Sequence, residues 1–234
     1  MRGEERVAGI LYVVATPIGN LEDVSERALR VLREVDRIAA EDTRRTAKLL
    51  AHYGIDKPLT SYHDAAERRK APELVEELRT GKNLALVSDA GTPLISDPGY
   101  RLVRGALDAG IAVVPIPGAT AATALLSVCG FATDRFVFEG FLPQRQGRRR
   151  RRLEALRTEP RTIVLYESPH HIERTLAEME SILGDRAIVV GRELTKLFEE
   201  IVRGTISSVR ATLASRAPRG EYTLAVAGAG EEDT

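Results

Sequence analysis

The stretch "NLALVSDAGTPLISDPGYRLVRGALDAGIAVVPI", residues 83–116, decides the fold. Leu84 to Val87 is a short apolar run that stops abruptly at Ser88. A loop with two Asp, two Gly and two Pro follows, then the amphipathic pattern of "GYRLVRGALDAG" (99–110), then a second apolar run at 111–116. Strand, loop, helix and strand make a crossover unit, and uncharged strands of this kind belong to a parallel sheet covered by helices on both faces. A loop so rich in Asp, Gly and Pro buries little apolar surface, so it persists either as a plain turn or as a ligand clamp.

Working outward, the same alternation recurs. "ILYVVAT" (10–16) reads as a buried strand. "SERALRVLREV" (25–35) reads as a helix with Ser25 as its N-cap and Ala28, Val31, Leu32 and Val35 on one face. "DRIAA" (36–40) is a short strand, and "TRRTAKLLAHYG" (43–54) a helix closed by Gly54. "PELVEELRTG" (72–81) reads as a helix with Pro72 in its first turn and Gly81 at its end. Upstream of it, His63, Asp64 and Glu67 read as solvated loop polarity; no spacing argues for zinc, and no metal is expected.

After "ATAATALLSVCG" (119–130), a helix of small residues, the character changes. Strand-like segments follow at 134–143, 161–169, 186–194, 199–206 and 221–228, with helices expected at 170–184 and 208–216. The boundary is placed to give an N-terminal lobe at 1–132 and a C-terminal lobe at 133–234. The second lobe carries an Arg-rich segment at 144–152, with six Arg and no acid. The fold class is α/β, in two α/β lobes.

Bulk properties narrow the function classes. The chain has 234 residues with 43% hydrophobic and 29% charged content, which fits a globular protein and argues against disorder. Lys plus Arg and Asp plus Glu both number 34, so an anionic partner must be read by a local patch. A single Cys, Cys129, excludes an internal disulfide framework and fits a reducing cytosol. No apolar run approaches the roughly 20 residues that span a bilayer, and "MRGEERVAGI" does not read as a signal peptide. A cytoplasmic protein is expected, with no membrane partner.

In open α/β sheets, ligands settle beyond the carboxyl ends of the strands. Three loops fall at that edge: "ATPIGNLED" (15–23), the segment from Ser88 to Gly99, and "PIPGATAATA" (115–124). Each suits a plain turn when taken alone. No G-x-G-x-x-G or G-x-x-x-x-G-K-[ST] is present, so neither a Rossmann site nor a P-loop is supported. Together the loops offer free backbone groups and the hydroxyls of Ser88, Thr92 and Thr120, which suit an adenine ring, ribose hydroxyls and a carboxylate.

"LYVVATPIGNLEDVSERALRVLREVDRIAAEDTRRT", "SDAGTPLISDPG", "PIPGATAATAL", "FEGFLP", "LYESPHH" and "GRELTKLFEE" resemble the ribosomal RNA small-subunit methyltransferase I group of the tetrapyrrole methylase superfamily. The resemblance runs from about residue 10 to residue 228. It implies a two-lobed enzyme, usually a homodimer, that binds S-adenosylmethionine in the cleft between lobes. It implies methylation of the ribose 2′-hydroxyl of a cytidine in the decoding region of small-subunit (16S) rRNA, with the rRNA or the assembled subunit as partner. Carried over position by position, the cofactor residues are Pro17, Gly19, Ser88, Asp89, Ala90, Gly91, Pro93, Ile95, Thr120 and Ala121, with Tyr166 and Leu194 from the second lobe. Departures from the group's pattern fall at Ala65 and Ala66 in "YHDAAE" and at His171 in "ESPHH". Alternatives on the same scaffold are a precorrin-type methyltransferase and a non-catalytic rRNA-binding or ribosome-assembly protein.

Methyl transfer to a hydroxyl needs in-line placement and removal of a proton from a weak acid. The candidates for that chemistry are Glu167, Glu193 and Lys196, with Lys196 stabilising developing alkoxide and a carboxylate accepting the proton. An ordinary exposed ion pair would look the same. For RNA contact the expected residues are Arg44 and the run Arg148, Arg149, Arg150, Arg151 and Arg152, placed between the lobes as a phosphate grip.

Overall fold

The computed structural model describes residues 7–215 and 219–230. The reading of the N-terminus at residues 1–6 and the end of the 208–216 helix at Arg216 lie outside them. The chain divides into two compact units, 1–120 and 121–234.

The first unit holds a five-stranded parallel sheet. Its strands are β1 (Ile10–Val14), β2 (Arg37–Ala40), β3 (Leu59–Ser61), β4 (Leu84–Val87) and β5 (Ala112–Ile116), in the order β3-β2-β4-β1-β5. Successive residues of a strand point to opposite faces. Accordingly Leu84 and Leu86 pack with helices α3 (Asp64–Arg79) and α4 (Tyr100–Asp108), while Ala85 and Val87 pack with α1 (Glu26–Glu34) and α2 (Thr43–His52). Helices therefore cover both faces, as the apolar strands require. Ser25 caps α1 through the N–H of Ala28, and Ala28, Val31 and Leu32 are its buried face.

Two elements depart from the sequence reading. Helix α3 begins at Asp64, not at Pro72, so Pro72 lies inside a 16-residue helix. A proline there removes one N–H and is tolerated because its acceptor, the carbonyl of Arg68, belongs to an exposed residue. Asp64 and Glu67 thus open a helix instead of lying in a loop, and Glu67 is employed structurally. Its Oε1 accepts from the N–H groups of Gly99 (3.0 Å) and Arg101 (3.1 Å), capping α4, whose own cap residue has no side chain. The second departure is β3, an unforeseen edge strand of three residues.

The second unit holds a mixed sheet of β6 (Phe136–Phe141), β7 (Thr162–Glu167), β8 (Ala187–Arg192), β9 (Glu200–Thr205) and β10 (Tyr222–Val226). The order is β6-β7-β10-β8-β9; β6 and β7 are parallel, and the other pairs are antiparallel. Helices α6 (Gln146–Leu156), α7 (Ile172–Leu183) and α8 (Ile206–Ala214) bury Leu153, Leu176, Met179 and Val209 with Ile163, Leu165, Ile188, Val190 and Leu224. Helix α5 (Ala121–Cys129) packs on β7 and β10 of this sheet. A Cβ at Gly191 would come within 2.9 Å of Leu125 on α5, so the glycine permits that close approach. Because α5 is committed to this sheet, the division falls at 120/121, ahead of the expected 132/133.

The arginine run opens α6, inside the second unit, and does not form a connection between units. Arg149 is not a surface grip. It is only 2% exposed, pairs with Glu178 through Nε and Nη2 (both 2.7 Å), and donates to the carbonyls of Pro143 and Gln144. The Glu178 carboxylate beside it raises the guanidinium pKa further, and Glu178 is in turn held below its ordinary value by Arg149. Removing one partner of such a pair strands the other charge. Arg149→Met should lower unfolding free energy by about 3 kcal/mol in denaturant titrations, and Arg149→Met with Glu178→Leu should recover most of that loss.

Candidate active site

All five strands of the first sheet run parallel, so their carboxyl ends lie along one edge, and every loop of interest leaves from it. The loop after β1 and the loop after β4 are joined by a reciprocal backbone pair. Thr16 N–H donates to the Gly91 carbonyl (2.9 Å), and Gly91 N–H donates to the Thr16 carbonyl (3.0 Å). The Thr92 hydroxyl then donates to the carbonyl of Ala119 (3.1 Å), tying in the loop after β5. Three loops distant in sequence are thereby one hydrogen-bonded assembly.

Glycine is required at two points of it. Gly91 has φ +84, and a Cβ there would lie 3.3 Å from Ile18 Cγ2. A Cβ on Gly118 would lie 2.9 Å from the Ala15 Cβ. Between Gly91 and Gly99 the chain bends sharply, with Leu94 at φ 72 and Ser96 at φ 69. Left-handed conformations at such residues cost about 1–3 kcal/mol each and persist where the surroundings over-determine them, commonly at ligand clamps.

The side chains of this edge divide into those that hold it and those that face outward. Ser88 is buried, and its hydroxyl is directed to the carbonyls of Ala90 and Gly91, so it shapes the loop. Asp89 accepts from Asp42 N–H (2.8 Å) and pairs with Arg45 (3.5 Å), fixing the loop after β4 to the start of α2. Pro17 and Pro93 set the turns, Gly19 is exposed, and Ile95 is an exposed apolar residue. Thr120 ends the first unit, and Ala121 begins α5 in the second.

Asp97, absent from the sequence-based candidates, belongs to this group. Its signal was only its place beside Pro98 and Gly99, which reads as turn chemistry. Burial raises its carboxyl, a hydrogen bond from Ser88 opposes that, and the neighbouring Glu41, Asp89 and Asp64 add to it; the pKa is pushed up to about 6. Glu41, at the end of β2, is also raised by burial and by Asp89 and Asp64, although the Asp89 N–H partly offsets this. The edge is therefore acidic, and the segments 15–20, 88–99 and 117–120 contain no Lys or Arg.

Arg44 is exposed and forks onto Asp42, two residues before it, at 2.8 and 3.1 Å. The same Asp42 caps α2 through Arg44 N–H and is held far below its ordinary pKa by those bonds.

In the second unit the candidates have different fates. Glu167 is buried, with one oxygen accepting from Ser168 N–H (2.7 Å) and the other from the Thr175 hydroxyl (2.6 Å). Both bonds brace the corner between β7 and α7, which removes Glu167 from the expected catalytic set. The Tyr166 hydroxyl accepts from Ala122 N–H (3.3 Å) at the start of α5, and its ring packs against Phe138 and Phe141. Leu194 is buried against Gly191.

Glu193 and Lys196 do come together. Lys196 Nζ donates to Glu193 Oε1 and Glu221 Oε2, each at 2.9 Å, and the Glu221 N–H donates to the same Glu193 oxygen. Burial opposes the charge on Lys196, but the two carboxylates more than offset it, so its pKa is raised. For Glu193, burial acts to raise the pKa, while Lys196 and the Glu221 N–H lower it to a net depression. Lys196 is thus a fixed cation and Glu193 a weak base. Their turn is strained, with Glu193 at φ 51 and Thr195 at φ 66.

Residues 10–210 match the family model described as tetrapyrrole (corrin/porphyrin) methylases. The ribosomal RNA small subunit methyltransferase I of Haemophilus influenzae is 52% identical over 97% of this chain and 81% of its own length. Among solved structures, the methyltransferase CobJ superimposes with a TM-score of 0.72 at 19% identity, covering 97% of each chain. A uroporphyrin-III C-methyltransferase from Thermus thermophilus, complexed with S-adenosyl homocysteine, gives 0.66 at 17% identity, covering 94% of this chain and 97% of its own. The shared fold, the family model and a half-identical relative agree: this chain belongs to the tetrapyrrole (corrin/porphyrin) methylase family, in its ribosomal RNA small-subunit methyltransferase group.

Proposed function

We propose that this protein transfers a methyl group from S-adenosylmethionine to the ribose 2′-hydroxyl of a cytidine in the decoding region of small-subunit rRNA. The observation that carries the cofactor reading is the strand edge with its glycine-tight loops, where segments 15–20, 88–99 and 117–120 contain no Lys or Arg and the carboxylates of Glu41, Asp89 and Asp97 gather, Asp89 being paired with Arg45. Such an edge repels the phosphates of a dinucleotide and favours a ligand bearing a sulfonium and an ammonium. The donor set therefore fits S-adenosylmethionine, which when bound supplies an electrophilic methyl group on a cationic sulfur.

This chain's own residues do the rest. Backbone groups of residues 89–95, held by the Thr16–Gly91 pair, line the cofactor, with Pro17, Gly19, Thr120 and Ala121 beside them. Asp97 and Glu41 offer negative charge to the cofactor's cationic groups. Lys196, kept protonated by Glu193 and Glu221, stabilises negative charge developing on the substrate hydroxyl, whose proton passes to the Glu193 carboxylate as the oxygen–methyl bond forms. Tyr166 and Leu194 act through the packing they hold.

We also infer a homodimer, supported by the exposure of Phe141, Leu197 and Phe198 on the second unit. A cytoplasmic location follows from the rRNA substrate of this reading. No helix among the described residues is long and apolar enough to cross a membrane.

Labelled S-adenosylmethionine, naked 16S rRNA and assembled small subunits test the reaction directly. Nuclease digestion and mass spectrometry should find 2′-O-methylcytidine at one position; methyl groups on a base, or none on either substrate, would overturn the proposal. Lys196→Met should lower the single-turnover rate about 100-fold while cofactor and RNA affinities change little, as removal of a group acting in the transition state predicts. Asp97 carries a pH signature. Its unfolded carboxyl titrates near 3.8 and its folded one near 6, so the folded state holds the extra proton between them and stability falls as pH rises through that window. Asp97→Asn should raise the melting temperature at pH 7.5, lose that advantage towards pH 4, and weaken S-adenosylmethionine binding by calorimetry.

A further inference from the structure

The arginine run is not one patch but two populations, and the structure separates them. Arg149 is buried against Glu178, Arg150 pairs with Glu154, and Arg152 forks onto Glu139. Arg145, Arg148 and Arg151 are exposed and have no acidic partner among the described residues; Arg151 makes only a bond from Nε to the Gly147 carbonyl. These three are spaced i, i+3, i+6 from the N-cap of α6. That spacing puts them on one face, rising about 4.5 Å per step at 1.5 Å per residue.

The placement runs against helix stability. The first turn of α6 contains no acid, and its cap residue makes no side-chain cap bond, so cations sit where the helix dipole disfavours them. In a chain of zero net charge, three uncompensated guanidinium groups in a row form a local field that a polyanion would neutralise.

We propose that Arg145, Arg148 and Arg151 form a phosphate-reading stripe that takes the backbone of an RNA strand, while Arg149, Arg150 and Arg152 are structural. This rests on the rRNA reading above and assigns which residues of that reading touch RNA. The contacts are to phosphate, so they fix position along the strand and carry no sequence preference. Guanidinium forks match phosphate oxygens two at a time, which suits Arg to this use better than Lys.

The test is fluorescence anisotropy of a fluorescein-labelled single-stranded RNA across a salt series, with the full chain. Each phosphate contact contributes roughly 0.7 to the slope of log affinity against log salt for a single strand, so Arg145→Gln/Arg148→Gln/Arg151→Gln should flatten the slope by about 2 units. The charge-neutral control Arg150→Gln/Glu154→Gln should keep the parental slope. A parental slope in the triple variant, or an equal loss in the control, would overturn the stripe. Circular dichroism of each variant establishes that α6 is retained, and the single substitution Arg148→Lys, with Arg145 and Arg151 intact, should keep most of the slope. The same preparations are assayed for methyl transfer at saturating 16S rRNA. If the parent methylates while the triple variant keeps the parental slope, the stripe alone fails; if the parent binds RNA with this salt dependence yet transfers no methyl, the reaction assignment fails and the stripe stands.

Discussion

The reciprocal hydrogen bonds between Thr16 and Gly91 are the constraint on which the rest of the first unit's functional edge depends. They join loops far apart in the chain, and they can form only because β1 and β4 are adjacent and parallel. Parallel pairing brings both strands to the same edge, and a reciprocal pair requires the two backbones to approach within one strand spacing. Gly91 at φ +84 lets the second loop turn back to meet the first. Hydroxyls add to this link: the buried Thr16 Oγ1 lies 3.3 Å from the Ser88 carbonyl, and the half-buried Thr92 donates to the carbonyl of Ala119. What remains outward includes backbone, small side chains, the exposed Ile95 and carboxylates, of which Asp89 is paired with Arg45.

Charge is distributed by sign. The strand edge gathers Glu41, Asp64, Asp89 and Asp97, close enough that burial and mutual repulsion push Asp97 and Glu41 upward. The arginines gather at the start of α6 in the other unit. A net charge of zero therefore hides two local concentrations of charge of opposite sign. Within the basic field the distinction between Arg149 and Arg148 is entirely one of helix phase. A single step along the helix turns the side chain by about 100°, enough to exchange solvent for the interior against Glu178.

Much of the architecture was legible in the sequence. Strands without charge, amphipathic helices between them and caps such as Ser25 carry their own local instructions, because burial of a strand on both faces demands apolar residues at every position. The quoted loop motifs and the resemblance they carry were legible too. The elements misread were those in which local signals conflict with packing. Pro72 marks a helix start in isolation, yet Ala71, Leu74 and Leu78 bury a face that extends the helix through it. The segment 119–130 follows the first unit's last strand, yet its apolar face belongs to the second unit's sheet. Glu167 has the composition of a catalytic carboxylate, but Thr175 lies one helical turn into α7 and claims one of its oxygens.

The sequence by itself determined the α/β class, the strand and helix alternation, the loops that carry Gly and Pro, and the family to which their motifs belong. These are local properties: periodicity, capping and turn chemistry are written in residues a few positions apart. Only the tertiary structure decided which charged groups are free. Asp97 rose because the fold buries it, with Glu41 and Asp64 brought beside it from other segments and Asp89 from its own loop, Lys196 became a fixed cation because Glu221 arrives on a different segment, and Arg149 turned inward because Glu178 stands on α7. Short spacings do encode pairs such as Arg150–Glu154, but the partners Glu178 and Glu221 are chosen by packing between elements distant in sequence, and no spacing along the chain encodes them.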